Sequence, residues 1–250
     1  MARILCVANQ KGGVGKTTTA VNLADALAKS GRRSLLIDLD PQCNATSSLG
    51  LSPALRHPLL QDQPLEEFEQ TVSPHSLSVL PGCRRIEDIQ RLAAGDPTTR
   101  HHLLRRIEST EGRYDFVVVD CPPSLGALTR TALLAATEVL MPIQCEFFAM
   151  EGLTQMIEVI RDVMHTGSGR LEFGGILLTM YDPTLELTLE VDAEVRDFFG
   201  EVVFETVIPR DDSVAEAPSH GISVLDYAPR SHGSLAYLEL CMEVLERDDE

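Results

Sequence analysis

A doubly wound α/β fold, with a mostly parallel sheet and helices on both faces, is predicted for this chain by three observations. Short continuous apolar runs at Ile4 to Ala8, Ser34 to Ile37, Tyr114 to Asp120, Val139 to Ile143 and Ile176 to Thr179 read as strands buried on both faces. Segments with helical apolar spacing separate them, first Ala20, Leu23, Ala24 and Leu27, and later the core stripe Leu153, Met156, Ile157, Ile160 and Met164. Between the first strand and the first helix lies a glycine-rich loop ending in Gly-Lys-Thr, which puts a phosphate site at the carboxyl ends of the strands.

That loop, Gln10 to Thr18 (QKGGVGKTT), reads as the phosphate pattern G-x-x-x-x-G-K-[ST], opened by Gly12 or Gly13 and continued by Val14 and Gly15. Glycines let consecutive backbone N–H groups turn inward around phosphate oxygens, the following helix offers the positive end of its dipole, and Lys16 adds a full charge. Thr17 supplies the magnesium hydroxyl and Thr18 a further first-turn donor, so a nucleoside triphosphate with Mg2+ is the expected ligand. Lys11 stands five residues before Lys16 and is not needed to hold phosphates within one chain.

Gly31 ends the first helix, and the second strand runs into Asp38-Leu39-Asp40-Pro41-Gln42. Two carboxylates at a strand end beside a phosphate site suit magnesium and water chemistry; Asp38 is expected to organise the magnesium shell. Asn44 to Gly50 reads as a polar loop that senses the phosphate. Residues 51–113 are broken by Pro53, Pro58, Pro64, Pro74 and Pro81, with helices expected at Leu65 to Phe68 and Arg84 to Ala94. The strand Tyr114 to Asp120 (YDFVVVD) ends in an acid placed to hold magnesium through Thr17 or a water.

Composition narrows the class. No apolar run approaches the roughly 20 residues of a membrane span, and the first strand begins by Arg3, so the expectation is one soluble, cytoplasmic domain over residues 1–250, with neither signal peptide nor amino-terminal helix-turn-helix. Six scattered cysteines without a C-x-x-C pattern read as reduced and structural. An iron–sulfur role for Cys121 lacks a second ligand, and the adjacent His101 and His102 would face apart on a helix. The net charge is −17, and residues 114–250 hold seven Lys/Arg against twenty-six Asp/Glu. This half is either a solvated acidic surface or one that avoids polyanions and meets a basic partner. The helix Ser234 to Glu250 carries Leu235, Leu238, Cys241, Met242 and Leu245, expected to dock onto the sheet. It ends ERDDE, which anionic lipid would repel.

The string KGGVGKTTT resembles the deviant Walker A of the ParA/MinD superfamily of P-loop NTPases, in which the first lysine reaches the phosphates of a partner subunit. That resemblance implies that Lys11 acts in a homodimer that closes on ATP as a nucleotide sandwich. DLDPQ resembles the superfamily's second motif, Asp40 matching the water-positioning aspartate, and Cys121-Pro122-Pro123-Ser124 resembles its second switch. PIQCEFFAMEGL (142–153), GILLTMYD (175–182) and VIPRDDSVAEAPSHG (207–221) carry the likeness to the ParA/Soj branch across nearly the whole chain. The branch's implied work is ATP-gated binding to nonspecific nucleoid DNA, with hydrolysis stimulated by a ParB-like partner, so that DNA or protein cargo is segregated or positioned. Pro209 matches a segment that helps hold the adenine.

One departure stands out. ParA/Soj proteins usually carry two arginines that grip the DNA backbone; the matching positions are Thr184 and Ser213, flanked by Glu186, Asp211 and Asp212, with Arg210 and Arg230 remaining. Each lost phosphate contact removes counterion-release free energy, so DNA binding is expected to be weakened or relocated. The competing readings are positioning of a protein cargo without DNA, a metabolic P-loop enzyme such as the related dethiobiotin synthetase, and a noncatalytic nucleotide-bound scaffold. The metabolic reading leaves Lys11 unexplained.

Overall fold

The computed structural model describes residues 2–72, 77–110, 112–147, 149–166 and 170–247. Pro74, Phe148 and residues 248–250, on which sequence expectations fell, lie outside the described residues. At the centre, β1 (Arg3–Val7), β5 (Phe116–Asp120) and β2 (Ser34–Asp38) run parallel. Val7 lies opposite Asp120, and Asp120 opposite Asp38. This register gathers the strand-end acids before any side chain turns. β6 (Glu138–Gln144), β7 (Glu172–Tyr181) and β8 (Val203–Pro209) extend the sheet beyond β1; β4 (Leu77–Leu80) and β3 (Gln70–Val72) extend it beyond β2. The order is β3-β4-β2-β5-β1-β6-β7-β8, parallel throughout except where β3 meets β4.

Because successive side chains point to opposite faces of a strand, one apolar run feeds two cores. Ile4 and Cys6 join Ile37, Val117 and Val119 on one face, whereas Leu5, Val7, Leu36 and Val118 join the core on the other. The first face is covered by α3 (Ile86–Ala94), α4 (Pro97–Glu108), α5 (Ala127–Ala135), α6 (Ala149–Thr166) and α7 (Glu186–Phe199), through residues such as Leu92, Leu103, Leu133, Leu153 and Val195. The second is covered by α1 (Lys16–Lys29) and α10 (His232–Glu246), which bury Leu23, Leu27, Tyr237 and Leu240. The short α8 (Asp212–Glu216) and α9 (Val224–Tyr227) lie on this side too. Glu243 of α10 accepts from the backbone N–H groups of Glu205 and Thr206 at 2.9 and 3.1 Å, occupying two donors of the edge strand β8.

Several local expectations are corrected. Asn44 to Gly50 is not simply a loop: Asn44–Ser48 forms a short helix, α2, because Thr46 at its middle is fully buried and hydrogen-bonded from below. Leu65–Glu67 is a single 3-10 turn. β3, β4 and α4 emerge from the proline-rich stretch. α4 starts where Asp96 accepts from the N–H of Thr99 at 2.9 Å and Pro97 occupies the first turn. In α6, Val163 takes the inward position of the last turn, which leaves Met164 40% exposed. In α10 the inward set is Tyr237, Leu240, Cys241 and Val244, so Leu235, Leu238 and Met242 face outward. No helix among the described residues is long and apolar enough to cross a membrane.

Candidate nucleotide and magnesium site

The loop between β1 and α1 turns at Gly13 (φ 79°) and Gly15 (φ 84°), left-handed values that glycine adopts without a Cβ penalty. Strict motif spacing would put the opening glycine at residue 10, which is Gln10; the turn is made at Gly13 and Gly15 instead. Helix α1 begins at Lys16, so its first-turn N–H groups and positive dipole end meet the loop. The Thr179 hydroxyl lies 2.9 Å from the carbonyl oxygens of both Val14 and Ile143, tying the loop to β6 and β7. Lys16 is buried and donates to the Lys11 carbonyl at 2.8 Å. Burial lowers its ammonium below the ordinary lysine value, while Asp120 and Asp40 oppose that shift.

Asp120 is fully buried; its Oδ2 accepts from the Thr17 hydroxyl at 2.8 Å and its Oδ1 has no partner. Burial first, and the neighbouring Asp38 second, push its carboxyl well above the ordinary range. An orphaned carboxylate oxygen beside a threonine hydroxyl is a hard-donor pair that fits Mg2+, which takes one or two carboxylates and fills its other positions with water and phosphate. Among the described residues no three His, Cys, Asp or Glu converge on a metal position.

Asp38, buried like Asp120, has hydrogen bonds at both carboxylate oxygens. Its Oδ2 accepts from both the N–H and the hydroxyl of Thr46, at 2.8 and 2.6 Å, and its Oδ1 accepts from the N–H of Asp40 at 3.2 Å. Both Asp38 oxygens are thus engaged within the fold, which sets Asp38 apart from Asp120 with its orphaned Oδ1. A Cβ at Gly82 would stand 2.9 Å from the Cys43 sulfur and 3.0 Å from the Asp38 Cγ, which favours glycine there. Asp40, by contrast, lines a cleft of about 270 Å³ with Gly12, Gly13, Lys16 and Thr17, one of its oxygens accepting from the N–H of Gln42 at 2.9 Å.

Lys11, which precedes the lining residue Gly12, has its ammonium on Glu146, both side chains being about 40% exposed, while its N–H donates to Asn9 at 3.0 Å. Pro209 lines a second cleft of about 310 Å³ with Ile208, Val214 and Tyr237. Gly15, Thr18 and Met180 line both clefts, so the two are contiguous. Met180 holds φ 51°, uncommon for a non-glycine residue. Thr46, Glu146 and Met180 are not singled out by the sequence: Thr46 falls within the polar stretch Asn44 to Gly50, and Glu146 and Met180 fall inside strings that carry the ParA/Soj likeness.

A family model described as an AAA domain matches residues 2–173. The sporulation initiation inhibitor protein Soj of Bacillus subtilis is 41% identical over 249 residues, covering 98% of this chain and 98% of its own. The chain belongs to the ParA/Soj family of chromosome-partitioning ATPases. Within that family, the chromosome-partitioning ATPase Soj of Thermus thermophilus is 46% identical over 250 residues, covering 99% of this chain and 97% of its own. A crystal structure of cobyrinic acid a,c-diamide synthase from Mycobacterium smegmatis with bound ADP and magnesium superposes with a TM-score of 0.84 at 33% identity, covering 100% of this chain and 96% of that one. The two positions where the sequence resemblance leads one to expect arginine, Thr184 and Ser213, are polar and acid-flanked. Thr184 is exposed and gives its N–H and hydroxyl to Asp182 at 3.0 and 2.6 Å, and the N–H of Ser213 donates to Asp211 at 2.8 Å.

Proposed function

We propose that this ParA/Soj-family chain is a single-domain, cytoplasmic, Mg2+-dependent ATPase that dimerises around ATP and converts hydrolysis to ADP and phosphate into release of the dimer. In this reading the loop N–H groups from Gly12 to Thr18 and Lys16 hold the phosphates, and Pro209 helps hold the adenine. Thr17 and Asp120 hold magnesium, whose chemistry is to neutralise developing phosphate charge. Asp40 accepts a hydrogen bond from the attacking water and orients it. Asp38, tied to Thr46 and to the N–H of Asp40, keeps Asp40 in place.

The observation that supports the sandwich dimer is the division of labour between two lysines. Lys16 is buried and donates to the loop carbonyl of Lys11, whereas the Lys11 ammonium is part-exposed and paired with a half-exposed Glu146. Such an exposed pair is worth about 0–1 kcal/mol, so the triphosphate of a second copy can take the ammonium. Phe147 and Leu185, 78% and 52% exposed beyond the carboxyl ends of β6 and β7, offer apolar surface on the same side. Hydrolysis is slow without a ParB-like activator, because the water is positioned but no strong base is at hand. The work is segregation or positioning of DNA or a protein cargo, with DNA binding weakened by the loss of arginine at positions 184 and 213.

Sizing chromatography with magnesium and a non-hydrolysable ATP analogue tests this, run on wild type and Lys11→Ala with and without plasmid DNA. The expected result is a wild-type dimer and a monomeric variant. A wild type that stays monomeric would favour a solitary P-loop enzyme.

A further inference from the structure

Two thiols that do not line the phosphate cleft lie buried next to it. Cys6 of β1 and Cys121, which follows Asp120, are both fully buried, and their sulfurs are 3.1 Å apart. The register accounts for this closeness. Cys6 lies opposite Val119 on the parallel strand β5, Cys121 is two residues further on and so faces the same side, and its N–H donates to the carbonyl of Val7 at 3.3 Å. Among the described residues no other pair of cysteine sulfurs is in hydrogen-bond contact, although all six cysteines are buried. A disulfide holds its sulfurs at about 2.05 Å, so closing the bond asks for an approach of about 1 Å.

We propose that Cys6 and Cys121 form a modification site, closing into a reversible intramolecular disulfide under a peroxide and thereby stopping nucleotide turnover. One sulfur attacks a peroxide oxygen, the O–O bond breaks, and a sulfenic acid and one water result. The second sulfur then attacks the first, displacing the hydroxyl as a second water. Two S–H bonds are lost and one S–S bond forms; the thiols give up two electrons and one hydrogen peroxide becomes two waters. A small dithiol reverses the step by exchange.

The consequence follows from what flanks Cys121. Asp120 before it bonds Thr17, and Pro123 after it lines the phosphate cleft. The new bond would staple this segment to β1, the strand that feeds the phosphate loop, and displace Asp120 from Thr17. Because neither sulfur is exposed, oxidation waits for local opening of residues 121–124, and nucleotide held against the same segment slows it. The effect on turnover rests on the proposed ATPase function; the covalent link does not.

The test is peptide-mapping mass spectrometry alongside ATPase assays, on wild type and Cys6→Ala treated with hydrogen peroxide. The expected result is a linked pair of peptides containing Cys6 and Cys121, lighter by two hydrogens. Wild-type turnover should fall about 100-fold, as displacement of a catalytic group by about 1 Å can cause. A dithiol should restore both, Mg-ATP should slow linkage several-fold, and Cys6→Ala should keep its turnover. Should Cys6→Ala fold poorly, Cys6→Ser serves the same comparison. The proposal is overturned if no linked peptide forms in the folded protein, if linkage leaves turnover unchanged, or if the cysteine variants lose turnover as wild type does. A wild type without turnover before oxidation instead sinks the ATPase reading, and the peptide link still decides whether the site exists.

Discussion

Thr46 donates both its backbone N–H and its hydroxyl to a single oxygen of Asp38, at 2.8 and 2.6 Å, and the same hydroxyl accepts from the N–H of Gly82 at 2.9 Å. One threonine thus joins α2, the end of β2 and the turn after β4 beneath the phosphate cleft. Thr46→Val keeps the shape but leaves a buried carboxylate and a buried N–H each short of a partner, which should cost about 3 kcal/mol. Thr46→Ser should cost less than about 1 kcal/mol, since the hydroxyl remains. Urea denaturation of the two variants decides between a hydroxyl that holds this corner together and one that merely fills it.

Two buried groups near this corner have opposite pH signatures. Burial pushes the His57 imidazole down to about 4, with Asp88 opposing, and pushes the Asp38 carboxyl up to about 6, with Thr46 opposing. Unfolded, they titrate near about 6.5 and 3.9. As pH falls from about 6.5 to 4 the unfolded chain gains a proton at His57 that the folded chain refuses, so that stability is lost. Asp38 does the reverse, its contribution fading as pH rises from about 3.9 to 6. Relative to wild type, Asp38→Asn should gain stability from pH 4 to 6 and His57→Gln should lose it, each by up to about 3 kcal/mol. Denaturation curves at pH 4.5 and 6.5 check this; variants whose pH slopes match wild type would refute the assignment.

The exposed ion pair between Lys11 and Glu146 makes a different forecast. Lys11→Ala should bind an ATP analogue about as well as wild type, because Lys16 and the loop amides are untouched, yet it should neither dimerise nor hydrolyse faster when concentrated. Glu146→Gln removes a screened pair worth about 0–1 kcal/mol, so its ATP-dependent dimerisation should change by no more than about fivefold. Equilibrium dialysis and light scattering separate the two. A Lys11→Ala protein that dimerises normally would place the lysine's work within its own chain.

What could be read from the sequence, and what could not, divides along the range of the contacts involved. The glycine loop, Lys16 and the strand ending in Asp120 announce themselves because a phosphate cradle needs those residue types a few positions apart. Strand β4 is four residues ending just before Pro81, too short for a period to register, whereas the Asp96-Pro97 start of α4 is a legible cap. Asp38 and Asp40, two acids at one strand end, look equivalent in the sequence until Thr46, eight residues beyond the first, claims one of them. Lys11 and Glu146 are 135 residues apart, and the strained backbone of Met180 has no sequence signature except its place at a strand end.

The altered surface at Thr184 and Ser213 yields the most direct gain-of-function forecast. Both positions are ringed by carboxylates, with Asp182 bonded to Thr184, Asp211 bonded to Ser213, and Glu186 and Asp212 exposed nearby. A DNA backbone brought here meets repulsion where arginines would have released counterions. ATP-loaded wild type should therefore bind plasmid DNA weakly at physiological salt. Thr184→Arg/Ser213→Arg restores two cations per chain, four per dimer, and each additional phosphate neutralised steepens the dependence of log affinity on log salt by about 0.9. A salt titration of the double variant should show a slope steeper by about 2 to 4 than wild type, with the difference vanishing when nucleotide is omitted. Tight, strongly salt-dependent binding by wild type would mean that other arginines, with Arg210 and Arg230 the nearest exposed candidates in sequence, already carry the DNA.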